Sequence, residues 1–378
     1  MTDITKIDGI ELIRAVEQRI DKIRTKSLDL SFNELLDMYE DGEFKIDPEY
    51  QRLFRWSEGS QSRFIESLIL EMPLPPIFVI EEAEGVYELI DGLQRISSYL
   101  HFRGKHPERK NEDGTFQFLK LSDCDIVTEL NGVGFEDLPK SLEIKLKRNF
   151  IRVEILRKES DKRLRYYMFK RLNTGEDLSE QEIRNCTIRL LNDKFNKFLI
   201  EMSNNDDFKE CIDNLTSEKV EEKYDQELVL RFFAFKNNRA KYVHDVADFL
   251  TGYMEIVSDS ENSGVQFDYE MEKENFRKTF KILNLTLGDK IFSGTNSSGR
   301  LISKFLTYHY ESFCLGIQPH LTTIDTDSTE VITKLTEIFK SIKNDEGFRK
   351  ITTGGGKNYS KQLNSRIGYV ETKVGKAL

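Results

Sequence analysis

Three short stretches of the sequence each place an arginine and a carboxamide side chain beside a predicted turn. In the first, "ELIDGLQRISS" (88–98), an apolar run ends in Asp91 and Gly92, and a helical pattern begins at once with Gln94 and Arg95. The first amides of a helix carry a partial positive charge and lack intrahelical partners. Glycine admits a ligand close to the backbone, and an arginine fork matches phosphate oxygens. This stretch fits a phosphate site or an ordinary surface turn.

Two further side chains of the first stretch offer additional chemistry. The Asp91 carboxylate can cap the helix or bind Mg²⁺. The Gln94 amide can hydrogen-bond a base, orient a water or face solvent. The stretch alone does not choose among these roles.

The second stretch, "PEYQRLFRW" (48–56), interleaves aromatic and polar residues, which are Tyr50, Gln51, Arg52, Arg55 and Trp56. Aromatic faces stack on bases, and arginines contact phosphates. These residues are therefore candidates for binding a nucleotide. The alternative is that Tyr50, Phe54 and Trp56 alternate into the core while the arginines face outwards.

The third stretch, "FKRLNTGEDLSEQEIRN" (169–185), places Arg171, Asn173 and Gly175 at a turn between two predicted helices. Glycine and asparagine are typical of helix C-termini, and a Ser-x-x-Glu pattern predicts the start of the next helix. The stretch fits a polar site or a well-capped helical corner.

Hydrophobic periodicity predicts the elements that position these residues. Apolar residues at helical spacing predict helices, and short runs rich in β-branched and aromatic residues predict strands. The predicted helices are 10–25, a short helix with Ser31 as its N-cap, 57–71 with Ser57 as its N-cap, 93–101, 137–147 and 160–173. The predicted strands are 27–31, 44–46, 77–82, 85–90, 116–121 and 149–156. From about residue 180 onward, nearly all of the periodicity is helical. We predict an α+β fold with an α+β module at 1–178, a helical domain at 179–346 and a basic, glycine-containing tail at 347–378.

The charge of the chain bears on its possible partners. The 378 residues carry a formal charge of −10, which disfavours a non-specific nucleic-acid binder. A local basic run at 145–171 fits either solvated helix and strand faces or a contact with DNA.

Cysteine usage and hydropathy bear on the compartment. The four cysteines (Cys124, Cys186, Cys211 and Cys314) form no CxxC pattern and have no histidine at ligand spacing. We expect them to be small buried hydrophobes rather than disulfide or zinc partners. The sequence shows no signal peptide and no apolar stretch long enough to span a membrane, which predicts a cytoplasmic protein without membrane contact.

Four motifs together resemble the N-terminal domain of GmrSD-type restriction endonucleases, which also occurs in SspE-like phage-defence proteins. They are "IDPEYQRLFRW", "FIESLILEMPLPPIFV", "ELIDGLQRISSYLHF" and "FKRLNTGEDLSEQEIRN", and they follow the order of the family from residue 46 to about 185. The resemblance implies a mixed-sheet domain related to the ParB and sulfiredoxin fold, followed by a helical extension.

The resemblance also implies that the first module binds and hydrolyses a nucleoside triphosphate, GTP or ATP, with Mg²⁺. The implied catalytic residues are Asp91, Gln94 and Arg95, with Asp91 also the metal ligand. The implied nucleotide-binding residues are Tyr50, Gln51, Arg52, Gly92, Arg171, Asn173 and Gly175. We add Trp56 to them because its ring can stack on a base.

The sequence departs from the family in two respects. Leu93 stands where the family usually has glutamine, and leucine cannot orient a water or a phosphate by hydrogen bonding. GmrSD-type proteins often carry a C-terminal His-Asn-His nuclease domain, whereas the five histidines of this chain do not form that pattern. We therefore expect nucleotide binding with slow hydrolysis, and a nuclease, where one is used, as a separately encoded partner.

Three functional hypotheses follow. The first is a nucleotide-dependent component of a bacterial restriction or phage-defence system. The second is a ParB-like protein that binds or nicks DNA. The third is a non-catalytic scaffold whose nucleotide site is degenerate. Nucleotide is the expected ligand, and contact with DNA and assembly into an oligomer are left open.

Overall fold

Two compact units divide the chain, Met1–Glu176 and Asp177–Leu378. The structure, a computed structural model, describes residues 9–20, 24–46, 54–172, 179–296, 298–354 and 357–378. The first unit contains a mixed sheet with helices, and the second is mostly helical. The predicted α+β class is confirmed.

A five-stranded mixed sheet forms the centre of the first unit. Its strands are β1 (Thr25–Ser31), β2 (Phe44–Lys45), β3 (Ile77–Ala83), β4 (Val86–Asp91) and β5 (Phe150–Leu156), in the spatial order β1-β5-β3-β4-β2. Strands β3 and β4 form an antiparallel hairpin, whereas β3 runs parallel to β5. As a result, the end of β4 lies beside the start of β3, where Asp91 is opposite Phe78.

Helices cover this sheet and supply the rest of its core. They are α2 (Phe32–Glu40), α3 (Glu58–Ile69), α4 (Leu93–Phe102), α5 (Lys140–Arg148) and α6 (Lys162–Leu172), whereas the first helix, α1 (Gly9–Ile20), is exposed at each of its described side chains. Helices α3 and α4 pack against each other. Leu68 of α3 and Leu100 of α4 are at most 1 % exposed, as is Val79 of β3. Burying such side chains is the main stabilising contribution to the unit.

Local capping signals were read correctly from the sequence. The Ser31 side chain accepts a hydrogen bond from the Glu34 amide at the start of α2, and the Ser57 side chain accepts one from Ser60 at the start of α3. Each bond satisfies an amide that the helix leaves without an internal partner.

One predicted strand is wrong. Residues 116–121 do not form a strand, because their amides bond elsewhere: Leu119 donates to the carbonyl of His101 in the last turn of α4, and Leu121 donates to that of Val133. The apolar alternation instead buries Leu119 and Leu121, each 1 % exposed.

The second unit is built from helices and one small hairpin. Its helices are α7 (Glu180–Ser203), α8 (Asp206–Cys211), α9 (Ser217–Glu221), α10 (Tyr224–Asn238), α11 (Val246–Ser258), α12 (Ser260–Ser263), α13 (Tyr269–Leu287), α14 (Thr307–Gly316), α15 (Thr329–Asn344), α16 (Glu346–Thr352) and α17 (Ser360–Gly375). Strands β6 (Ser293–Thr295) and β7 (Leu301–Phe305) form the hairpin, which periodicity did not predict. Neither strand alternates apolar and polar residues, because β6 reads Ser-Gly-Thr and β7 reads Leu-Ile-Ser-Lys-Phe.

The last helix, α17, is an integral part of the second unit. It packs along α14, and its residues Leu363, Ile367, Val370 and Val374 are at most 2 % exposed. Their spacing places them on one helical face. The structure therefore places much of the stretch predicted as a tail, 347–378, in the core of this unit.

Two properties expected from composition can be compared with the structure. All four cysteines are buried and have free thiols, as predicted. Among the helices that the structure describes, none is both long enough and apolar enough to cross a membrane.

Candidate functional site

The junction between β4 and α4 turns on a left-handed glycine. Gly92 has a φ of 104°, and its carbonyl accepts the first helical hydrogen bond, from the Ile96 amide. A Cβ atom at this position would lie 2.4 Å from Cγ2 of Ile77. Only glycine satisfies both the backbone angle and the close approach of β3. The junction therefore presents the start of α4, with its partial positive charge, directly after the sheet.

Replacing Gly92 with alanine is expected to lower the free energy of unfolding by about 2–4 kcal/mol, because backbone strain adds to a steric clash. Gly42→Ala is the matched control, since Gly42 also has a positive φ but has open space around the new Cβ. The control is expected to lose only about 1 kcal/mol. Urea unfolding of both variants measures the difference, and equal losses would contradict a special role for the contact with Ile77.

The Arg95 guanidinium connects three backbone segments at this junction. Its Nη2 donates to Oδ2 of Asp91 at 3.1 Å, and its Nη1 donates to the carbonyl oxygens of Pro75 and, at 3.2 Å, Pro76. The two prolines belong to the proline loop, Met72–Pro76, which precedes β3. Arg95 thereby ties the first turn of α4 to β4 and to this loop.

Asp91 and Arg95 form a largely buried ion pair, with side chains 18 % and 14 % exposed. Burial raises the pKa of the Asp91 carboxyl above its usual value, and the charge of Arg95 opposes that rise. A ligand anion that binds Arg95 would compete directly with Asp91 for the guanidinium.

Gln94 organises the segment that carries Trp56. Its side-chain oxygen accepts hydrogen bonds from the amides of Arg55 at 3.0 Å and Trp56 at 3.1 Å. The Trp56 ring contacts Phe64 edge-on, with centroids 6.0 Å apart. Gln94 therefore acts here as a positioning residue, and the structure brings together two of the three stretches identified from the sequence.

Two buried residues that support this arrangement were missed in the sequence analysis. Gln61 of α3 donates to the Trp56 carbonyl at 2.7 Å, and its oxygen lies 2.8 Å from Nδ1 of His101. Both side chains are at most 3 % exposed. The available signal was a glutamine and a histidine on helical faces that are otherwise apolar.

The remaining predicted site residues fall into two groups. Tyr50, Gln51, Arg52, Asn173 and Gly175 lie outside the described residues. Arg171 is exposed in the last turn of α6, a helix that packs against β4. Within the described ranges, no hydrogen bond or ion pair joins Arg171 to the ion pair at the junction.

The polar residues that follow the glycine turn of the third stretch form hydrogen bonds with one another and with α10. Gln181 bonds Asn185 at 2.8 Å, and Asn185 bonds Gln226 of α10 at 2.6 Å. Arg184 bonds Glu227 at 3.1 Å. The Ser179 and Glu182 capping box is present as predicted. This part of the stretch is a well-capped helical corner rather than a ligand site.

Asp91 has the type of side chain that binds Mg²⁺, a carboxylate. No three acidic, histidine or cysteine side chains of the described residues come together to hold a metal ion. Mg²⁺ that accompanies a nucleotide is commonly held by one or two carboxylates together with phosphates and water. A single carboxylate beside a helix start that attracts phosphate fits that arrangement.

Comparison with known proteins identifies the first half of the chain. Residues 32–189 match the family model described as the GmrSD restriction endonuclease, N-terminal domain. No curated protein and no solved structure matches the chain significantly, so the kinship with ParB and sulfiredoxin folds stays a prediction. The matched range contains the β4–α4 junction and all three polar stretches. Residues 32–189 of this chain therefore belong to the family of GmrSD restriction endonuclease N-terminal domains.

Proposed function

We propose that the first unit binds a nucleoside triphosphate, GTP or ATP, at the β4–α4 junction. We further propose that the chain serves as the nucleotide-dependent component of a DNA restriction or phage-defence system. The observation that carries the proposal is the Asp91–Arg95 ion pair beside the left-handed Gly92 at the start of α4. Membership in the GmrSD N-terminal domain family supports it.

Each residue of the junction has a role in this proposal. The start of α4 and Arg95 bind phosphate oxygens, since both offer donors and positive charge. When Arg95 turns to the phosphates, the Asp91 carboxylate is released to hold Mg²⁺, which would neutralise phosphate charge. Gln94 keeps Trp56 in place, and Trp56 offers an aromatic face to the base.

Binding of nucleotide is expected to depend on Arg95 and Arg171. Each alanine variant should bind a fluorescent GTP or ATP analogue at least tenfold more weakly in the presence of Mg²⁺, because a charged hydrogen bond contributes about 1.5–3 kcal/mol. Arg171 is exposed, so Arg171→Ala should leave thermal unfolding unchanged. Lys162→Ala, another exposed cation of α6, is the control and should bind like the wild type. If both arginine variants bind like the wild type, the proposed site is wrong.

Leu93 belongs to the core rather than to the phosphate-binding surface, because its side chain is only 3 % exposed. Restoring the family's glutamine would therefore bury an amide. We expect Leu93→Gln to lower the free energy of unfolding by about 1–3 kcal/mol and not to increase nucleotide turnover. Ile126→Gln, at a position 59 % exposed, is the control for stability. A rise in phosphate release by Leu93→Gln would show that position 93 acts on the ligand.

DNA binding is the second candidate, and the ion pairs of the basic run weaken it. Lys145, Lys147, Arg152 and Arg157 pair with Glu71, Glu143, Asp29 and Glu81. Cations that are already paired contribute less to the positive surface that DNA requires. The nuclease step of the proposed system is accordingly assigned to a separately encoded partner.

A further inference from the structure

The first unit contains a cleft that the nucleotide proposal does not use. This proline-loop cleft has a volume of about 810 Å³ and lies between the proline loop, the end of α5 and the start of β5. Its apolar lining is unusually exposed: Met72 and Ile144 are each 38 % exposed, and Phe150 is 62 % exposed. Grouped apolar side chains that face solvent typically mark a binding surface.

Three cations line the cleft, and two of them form ion pairs within the described residues. Arg152 donates twice to Asp29, at 3.0 and 3.2 Å, and Lys145 lies 3.4 Å from Glu71. Arg148, at the end of α5, is exposed and makes no ion pair or side-chain hydrogen bond within the described residues. A nucleic acid would need several such cations. One cation beside an apolar floor instead suits a protein segment with apolar side chains and an acid.

Helix α1 has the complementary surface. Leu12, Ile13, Val16 and Ile20 are 52, 58, 49 and 61 % exposed, and their spacing places them on one face of the helix. Glu17 borders that face. A helix of 12 residues is only marginally stable alone. Its apolar face therefore calls for a partner surface.

We propose that α1 of one copy of this chain binds the proline-loop cleft of a second copy, and that the exchange is reciprocal. The apolar face of α1 lies on Ile144 and Phe150, and Glu17 pairs with Arg148. A single helix-in-cleft contact is small beside the roughly 800 Å² per partner of a stable interface. A twofold-symmetric exchange makes the contact twice, which brings the buried area into that range.

The oligomeric state of the full chain tests this proposal. Sedimentation equilibrium should show a reversible dimer, and Ile13→Glu or Phe150→Ser should each raise its dissociation constant at least tenfold. Both positions are more than half exposed, so the variants should unfold at the wild-type temperature. Leu285→Glu, at an exposed position of α13 in the other unit, is the control and should leave the dimer intact. A wild-type chain that is monomeric at all concentrations overturns the proposal.

Charge exchange and cross-linking test the partner of α1. Arg148→Glu and Glu17→Arg should each weaken the dimer, and the double variant should regain most of the lost affinity. A Val16→Cys copy mixed with a differently tagged Ile144→Cys copy should form a disulfide-linked heterodimer under oxidation. A dimer that neither gains affinity in the double variant nor forms this cross-link uses another surface, and the proposal is then wrong.

Discussion

Replacing Glu311 with glutamine is expected to lower the free energy of unfolding of the second unit by about 3–5 kcal/mol, the cost of breaking a buried ion pair. Glu311 lies on α14 and is 1 % exposed. Its Oε1 accepts from Nη1 of Arg231 at 2.7 Å, and its Oε2 accepts from Nε of Arg366 at 2.9 Å. The variant removes the counter-charge of two buried guanidinium groups at once.

The effect should be large because Glu311 is one link in a longer chain of alternating charges. Arg231 also bonds Glu227 at 3.1 Å, and Glu227 bonds Arg184 at 3.1 Å. The chain of five side chains, completed by Arg366, joins α7, α10, α14 and α17. A buried charge that loses its partner cannot recover its hydration without unfolding the surrounding helices.

Urea unfolding followed by far-ultraviolet circular dichroism measures this effect. Glu337→Gln is the matched control, because Glu337 pairs with Lys340 on the surface of α15, where the side chains are 68 % and 47 % exposed. An exposed pair contributes about 0–1 kcal/mol. Similar losses for the two variants would mean that the buried network does not hold the helices together.

Replacing Lys343 with methionine is expected to stabilise the second unit at pH 7 by about 1–4 kcal/mol, the range found for replacing buried ion pairs by apolar residues, because an unpaired buried ammonium is at least as costly as a paired one. The Lys343 side chain is nearly fully buried, with the residue 1 % exposed. Its Nζ donates to the Ser293 carbonyl at 2.5 Å and lies 3.4 Å from Nδ1 of His309 and 4.9 Å from the Phe313 ring. None of these groups carries a negative charge that would balance the ammonium.

Burial lowers the pKa of Lys343 from 10.5 to about 7. Between these two pH values the amine is neutral in the folded chain and protonated in the unfolded chain, so unfolding takes up a proton. The free energy of unfolding should therefore rise with pH across this window. Below about pH 7 both states are protonated, and the full cost of burying the ammonium is present.

The neighbouring His309 does not obscure the pH dependence that is expected from Lys343. Burial lowers the pKa of His309 to about 3, so it stays neutral in the folded chain throughout the window. Denaturant unfolding at pH 7 and pH 9 should show a smaller difference for Lys343→Met than for the wild type. Lys340→Met, an exposed position of the same helix, should keep the wild-type difference. A difference that is unchanged in Lys343→Met would exclude Lys343 as the group responsible.

The predictions that held depend on residues close together in the chain. The caps at Ser31, Ser57 and Ser179 each join a side chain to an amide three residues later. The turn between β3 and β4 and the glycine at the start of α4 are encoded in the same way, because one local backbone conformation decides them. The helix-to-sheet junction that carries the candidate site was therefore visible in the sequence.

The roles of the side chains at that junction depend on residues far away in the chain. Arg95 offers a phosphate-binding fork in the sequence, but the fold pairs it with Asp91 and with carbonyls of the proline loop. Leu93 stands where the family usually has glutamine, but the fold places its side chain in the core rather than at a ligand. Which way a side chain faces, and what it meets there, follows from how β3 and β4 pack.

By itself, the sequence determined the α+β class, the starts of α3, α4 and α7, and the family of residues 32–189. Only the tertiary structure decided that α17 belongs to the core of the second unit and that residues 116–121 form a loop. It also decided that three arginines and two glutamates, more than 180 residues apart at their ends, form one buried network. Periodicity records which residues are apolar, whereas the pairing of buried charges requires distant segments to meet, and that depends on the free energy of the whole fold.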